Sequence, residues 1–168
     1  MNPQELEFKI SRTFNAPRSL VWKAFTDGES LAKWWGPKGF AAESHRFELK
    51  PGGMFLYRMV SQNGNEMWGR FLFREIDPED RLVWVNSFSD KDGSLTRAPF
   101  GSTVPLEMLT TVTLEQHEGR TTVTIRSLPI NATEEEETTF FGMRSGMNAG
   151  FGGTLDQLEA YLALDVSD

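Results

Sequence analysis

The sequence predicts an α+β fold. A curved antiparallel sheet of about six to seven strands wraps around one long C-terminal helix, and two short helices follow strand 1. Three observations carry this reading. Tight-turn signals join most of the segments whose apolar residues alternate, and hairpins imply antiparallel pairing. A single long stripe at helical spacing ends the chain, and it must bury its apolar side on the sheet. Two short helical patterns separate the first strand from the rest.

The elements follow in order. LEFKISRTF (6–14) alternates Leu6, Phe8 and Ile10 with charged neighbours, the period of a strand with one buried face. Asn15-Ala16-Pro17 ends it, and Pro17 suits the first turn of a helix because its missing N–H is not needed there. The next segment places Leu20, Val21, Ala24 and Phe25 on one helical face. A second short helix is expected from Gly28 to Trp34, with Glu29 favourable in its first turn. It closes on KWWGPKGF (33–40), where Gly36-Pro37 stops a helix. Adjacent residues on a helix diverge by about 100°. Trp34 and Trp35 are therefore expected to take different positions, one plugging the core under the helix pair and the other nearer a cavity entrance or the surface.

Strand patterns then run over 44–51, 52–61 and 65–76, the last two joined across Gln62-Asn63-Gly64-Asn65. Asp77-Pro78-Glu79-Asp80 turns the chain into 81–88. Residues 89–105 are polar, with two Gly and two Pro, and read as a long exposed loop, a place where function often resides. A third hairpin pairs 105–116 with 120–130 across His117-Glu118-Gly119. In the tail, Thr133 and Glu136 form a capping box, and the glutamates 134–137 lie at the positive end of the helix dipole. Phe140, Met143, Met147, Phe151, Leu155, Leu158 and Leu162 recur at steps of three and four.

Composition narrows the function. The 168 residues suit one domain (1–168, core about 6–162), with no repeat or linker to split them. Formal net charge is −7 and the pI near 4.9, which opposes nucleic-acid binding and anionic membrane surfaces. No apolar run approaches the ~20 residues of a membrane span, and the N-terminus lacks signal-peptide character, so a cytoplasmic location is expected. There is no cysteine, hence no thiolate nucleophile or thiolate metal site. His45 and His117 have no metal-ligand partner at useful spacing and read as surface residues. No nucleophile-elbow, zinc-binding, P-loop or dinucleotide-binding pattern is present, so neither a metal nor a cofactor is expected.

The stretches FNAPRSLVWKAFTD, LAKWWGPKGF, ELKPGGMF, FREIDPEDRLVW and GFGGTLDQLEAYL stand in an order that resembles the START-like, helix-grip (SRPBCC) superfamily. The resemblance is to its activator of heat-shock-protein ATPase homologue (AHSA-type) branch. It implies an apolar cavity between sheet and last helix that binds hydrophobic small molecules. Gly150-Phe151 stands where the family often has Gly-Trp, and loop 89–105 is long for the branch, so no relative's ligand carries over.

The candidate ligand-binding residues follow from that cavity: Trp35 at the helix end, Phe55, Tyr57, Trp68, Phe71, Trp84 and Met108 on strands, and Met143, Met147 and Phe151 on the last helix. Met67 and Trp68, being adjacent, point to opposite faces. Arg70, Arg74, Glu75 or Arg126 could supply an inward polar group, although an outer-face position is the expectation for each. Gly142, Gly146, Gly150 and Gly153 form their own helical stripe, which could permit close packing, break the helix near 150–153, or leave space for a ligand.

Binding of a hydrophobic small molecule is thus the first expectation. An enzyme of the polyketide cyclase or dehydratase kind is an alternative, with acid–base work falling to Tyr57 and Arg70. A chaperone-interacting module is another, and it is disfavoured because 168 residues leave no room for an additional chaperone-binding domain. A homodimer through exposed aromatics at sheet edges is compatible with the sequence.

Overall fold

The computed structural model of the chain describes residues 2–166. A single turn of helix, α1 (Pro3–Leu6), opens the chain, with Asn2 accepting from the Glu5 amide as its N-cap. Then come β1 (Phe8–Phe14), α2 (Arg18–Thr26) and α3 (Gly28–Trp34). They are followed by β2 (Phe40–Phe47), β3 (Met54–Ser61), β4 (Glu66–Asp77), β5 (Arg81–Ser89), β6 (Glu107–His117), β7 (Arg120–Ile130) and α4 (Glu134–Val166).

All strands join one seven-stranded sheet in the order β1-β7-β6-β5-β4-β3-β2, every neighbour antiparallel. The chain's first strand therefore pairs with its last, and α2 and α3 connect one edge of the sheet to the other. Register shifts between Ser44 and Arg46 and between Phe73 and Glu75 bend the strands, as bulges do. The expected α+β architecture of sheet, long helix and two short helices is observed.

Local chemistry explains most boundaries. Pro17 precedes α2 as its N-cap, with φ −69° and ψ 156°, instead of entering the first turn as the sequence suggested. Asp27 caps α3, accepting from the Ser30 amide at 3.2 Å and the Ser30 hydroxyl at 2.6 Å. β2 begins at Phe40, earlier than the pattern indicated, because its exposed face lacks an apolar alternation to mark it. The Thr133–Glu136 capping box forms in both directions, at 2.9 and 3.1 Å.

The inner face of the sheet carries Phe55, Tyr57, Phe71, Phe73, Leu82, Trp84, Val112, Leu114, Val123 and Ile125, all buried. Against it pack Phe25 of α2, Leu31 and Trp34 of α3, and Leu155, Leu158 and Leu162 of α4. A second cluster of Leu6, Phe8 and Phe140 seats the first turns of α4 over β1. The helix is thus anchored at both ends. It runs unbroken for 33 residues, so no break occurs at Gly150–Gly153.

Candidate ligand cavity

Between those two anchors α4 spans a cavity. Its walls are Trp35, Gly36 and Pro37 after α3, Met59 of β3, Phe88 of β5, Met108 of β6, Phe100 of the loop after β5, and Met143, Met147, Gly150, Phe151 and Thr154 of α4. Its volume is about 310 Å³, at the lower end for small-molecule sites. The lining is almost wholly apolar and contains no ionisable side chain. The one hydroxyl, that of Thr154, is engaged with the carbonyls of Gly36 at 3.0 Å and Gly150 at 3.2 Å. A larger groove of about 600 Å³ lies between α3 and β2, but Glu29, Lys33, Glu43 and Ser44 line it, and it is a polar surface cleft.

The KWWGPKGF stretch builds one wall. α3 ends at Trp34, which is buried and donates its indole N–H to the Ala24 carbonyl at 3.0 Å. Trp35 takes extended backbone angles and turns into the cavity. There its ring meets Trp34, Phe71, Trp84 and Phe151 edge-on, at 5.0 to 6.0 Å between centroids. Gly36 has φ +105°, a conformation that favours glycine, and a Cβ there would also lie 2.9 Å from the sulfur of the flexible Met59 side chain. Gln157 of α4 donates to the Trp34 and Gly36 carbonyls at 3.0 and 2.9 Å. Tyr161 donates to Ser30 at 2.8 Å. The helix and the tryptophan turn therefore hold each other in place.

The loop between β5 and β6 closes another side. Thr96 donates its amide to the Phe88 carbonyl at 3.1 Å, and Arg70 reaches the Gly93 carbonyl at 2.8 Å. Arg97 pairs with Glu136 and also donates to the Val104 carbonyl at 3.2 Å. Thr139 of α4 donates to Thr103 at 2.9 Å. Phe100 meets the Phe88 ring edge-on, yet is 65% exposed. An aromatic that exposed at the mouth of an apolar hollow leaves unpartnered apolar surface.

Of the candidate residues, Trp35, Met108, Met143, Met147 and Phe151 stand in the cavity wall. Phe55, Tyr57, Phe71 and Trp84 are on the inner face but fully packed in the aromatic core beneath it, Phe71 and Trp84 stacked at 4.2 Å. Trp68 points to the outer face, against His45 at 4.6 Å and with its N–H on Glu66 at 2.5 Å, while Met67 takes the inner side. The Tyr57–Arg70 pair is not assembled. Arg70 lies opposite Leu56 and Tyr57 opposite Gly69, so pleating sends the two to opposite faces.

Burial raises the Tyr57 hydroxyl to about 12, only partly offset by a hydrogen bond with the Trp35 side chain. A phenol that stays neutral at physiological pH, in a site without a cation, is poorly suited to acid–base work. The hydroxyl lies over Gly69, where a Cβ would approach it to 2.5 Å. Glycine in this central strand makes room for the tyrosine.

Sequence reasoning missed Met59, Phe88 and Phe100. Met59 and Phe88 share the inner parity of Tyr57 and Trp84 two and four positions away, a signal that was present. Phe100, within a polar loop, carried none. Reasoning also passed over the polar residues of the inner face. Asn86 lies there between Phe88 and Trp84, half-buried, its side-chain carbonyl accepting from Thr110 at 2.5 Å. The Thr110 hydroxyl is in turn 3.1 Å from that of Ser127. The indole N–H of Trp84 is buried without a hydrogen-bond partner.

The glycine stripe is not there for close packing. A Cβ at Gly142, Gly146 or Gly150 would meet nothing within 4 Å, and only Gly153 is approached, by Lys38 at 3.4 Å. Among the described residues no His, Asp or Glu side chains converge as a metal site, and no helix is long and apolar enough to cross a membrane.

Comparison with known proteins agrees with this architecture. A protein from Arthrobacter aurescens, solved by NMR, is 29% identical with a TM-score of 0.80, covering 97% of this chain and 89% of its own. A crystal structure of a protein from Nitrosomonas europaea is 28% identical with a TM-score of 0.76, covering 98% of each chain. The AHSA1 protein from Silicibacter pomeroyi, at 18% identity and a TM-score of 0.73 over 95% of this chain and 99% of its own, shares the fold. No match was found among curated proteins. The family described as "Activator of Hsp90 ATPase homolog 1-like protein" matches residues 15–163, most of the chain, and the protein belongs to that family.

Proposed function

We propose that the protein binds a hydrophobic small molecule in the cavity between the sheet, the middle of α4 and the loop after β5. The observation that carries this reading is the lining itself: an apolar hollow of about 310 Å³ walled by Trp35, Phe88, Phe100, Phe151 and a set of methionines. Methionine side chains are unbranched and polarisable, and they adapt to varied apolar shapes. Apolar aromatic walls around such a space favour burial of an apolar ligand by the hydrophobic effect, at about 25 cal/mol per Å² removed from water. The family's fold is compatible with this use. An acid–base enzyme of the cyclase kind has no ionisable side chain in this lining to carry it.

Native mass spectrometry of freshly expressed protein tests the proposal. A retained apolar compound at 1:1 stoichiometry, removed by a cavity-filling substitution such as Gly150→Leu, is the expected result. Apo protein that also fails to take up any member of an apolar compound panel would overturn it.

A further inference from the structure

The branched aliphatic residues of this protein stay out of the cavity. No Leu, Ile or Val stands in its lining, although Leu31, Leu82, Val112, Leu114 and Ile125 fill the core beside it. Four of the chain's seven methionines line it instead, Met59 and Met108 from the sheet and Met143 and Met147 from α4. Aromatic rings make up the other large side chains of the wall. Trp35 and Phe151 meet edge-on at 6.0 Å between centroids, backed by Phe8, which stacks on Phe151 at 5.3 Å. Phe88 and Phe100 form a second edge-on pair at 5.6 Å.

Such a wall discriminates between ligands of equal size. A ring carries a negative face and a positive edge, so a further ring gains oriented contacts with the rings beside it, beyond the area it buries. A thioether sulfur is attracted to a ring as well, often at its edge. A saturated compound gains the area burial alone. The lining offers little to a polar group. The Thr154 hydroxyl is engaged with the Gly36 and Gly150 carbonyls, the Trp35 side chain is engaged with the Tyr57 hydroxyl, and no ionisable side chain is present. An oxygen carried into the hollow would lose its water with no side-chain donor to replace it, which is costly.

Resting on the binding reading above, we infer that the ligand is a neutral aromatic compound of one or two rings, chosen over saturated compounds of the same shape by the methionine sulfurs and aromatic rings of this wall. The size agrees. A volume of about 310 Å³ is about twice the ~150 Å³ of an engineered apolar cavity that takes up benzene, enough for one ring with a short chain or for two fused rings. A polar substituent is confined to the mouth, where Phe100 is largely exposed.

The test is an NMR titration with propylbenzene, propylcyclohexane and 3-phenylpropanoate. The association constants of the two hydrocarbons are divided by their water-to-hexadecane partition coefficients, which removes the greater hydrophobicity of the saturated one. Wild type should then prefer propylbenzene about fivefold, since one sulfur–ring contact is worth roughly two- to tenfold in affinity. It should bind 3-phenylpropanoate more weakly than propylbenzene, because no cation in the wall receives the carboxylate. The double variant Met143→Leu/Met147→Leu removes two sulfurs and Phe100→Leu removes a ring, each leaving an apolar side chain in place. Both should lower the preference for propylbenzene, with a thermal melt confirming that each variant folds. Equal corrected affinities in wild type, a preference that both variants keep in full, or tighter binding of the carboxylate would refute the aromatic inference and leave the cavity reading standing. Binding of none of the three probes would overturn both.

Discussion

Replacing Gly142 and Gly146 with alanine should make this protein more stable. Glycine in a helix interior costs about 0.5–1 kcal/mol relative to alanine, because the unfolded chain loses more freedom. That gain is usually offset where glycine serves a close contact, but here an added Cβ meets nothing within 4 Å at either position. Both sit well inside the 33-residue α4, far from its ends. The pair should therefore contribute roughly 1–2 kcal/mol. For a domain of this size 1 kcal/mol moves the melting temperature by about 2–4 °C, so the double variant should melt roughly 2–8 °C higher. Neither residue lines the cavity, so affinity for an apolar probe should stay within about twofold. Differential scanning calorimetry and a parallel probe titration measure both. A fall in melting temperature would show that something packs on this face, and would refute the argument that the glycines are sterically free.

Trp35→Ala removes a ring that touches Trp34, Phe71, Trp84 and Phe151; it should cost about 3 kcal/mol by denaturant titration and abolish probe binding, while Trp35→Phe should recover part of both. Phe100 is 65% exposed, so Phe100→Ser should leave stability within about 0.5 kcal/mol and weaken apolar-probe binding severalfold. Thr133→Ala deletes the hydroxyl that caps α4 and should cost about 1 kcal/mol. The Thr133 amide and the Arg97 side chain hold Glu136 below its ordinary carboxylate value, so its contribution to stability is present above that value and is lost as pH falls through the lowered one. Glu136→Gln should accordingly melt below wild type near neutrality, and the gap should narrow as pH falls below the ordinary carboxylate range and close once it is below the lowered value; a gap that persists undiminished in strong acid would exclude this charge as its source.

Much of the fold was legible because its signals are local. Asn63-Gly64, Asp77-Pro78 and Glu118-Gly119 announce turns, and the stripe from Phe140 to Leu162 announces a helix with one buried side. The order of strands was less accessible, since pairing of β1 with β7 joins residues more than a hundred positions apart and no nearest-neighbour pattern encodes it. The cavity was half legible for a related reason. Alternation tells that Tyr57, Phe71 and Trp84 face inward, but not whether an inward position borders space or packed core, which depends on how far α4 stands off the sheet. Trp68 was misplaced because an aromatic on a strand looks alike on either face until a neighbour's parity fixes it. Arg70 fell with it, one pleat from the residue it was paired with.

The claim at the centre of this account is that the hollow beneath α4 is a ligand site. Thermal unfolding of wild type and Gly150→Leu, each with propylbenzene as an apolar probe from zero to saturation, tests it most directly. Gly150 lines the cavity and a Cβ there would meet nothing within 4 Å, so leucine at this position takes up space in the site. Wild type should be stabilised as the ligand accumulates, by about 2.7 kcal/mol at one hundred times Kd and thus by roughly 5–10 °C. Gly150→Leu should melt at or above the wild-type temperature and show no dependence on ligand. An equal shift in both proteins would contradict the account, placing the ligand elsewhere, and so would no shift in wild type across the whole range.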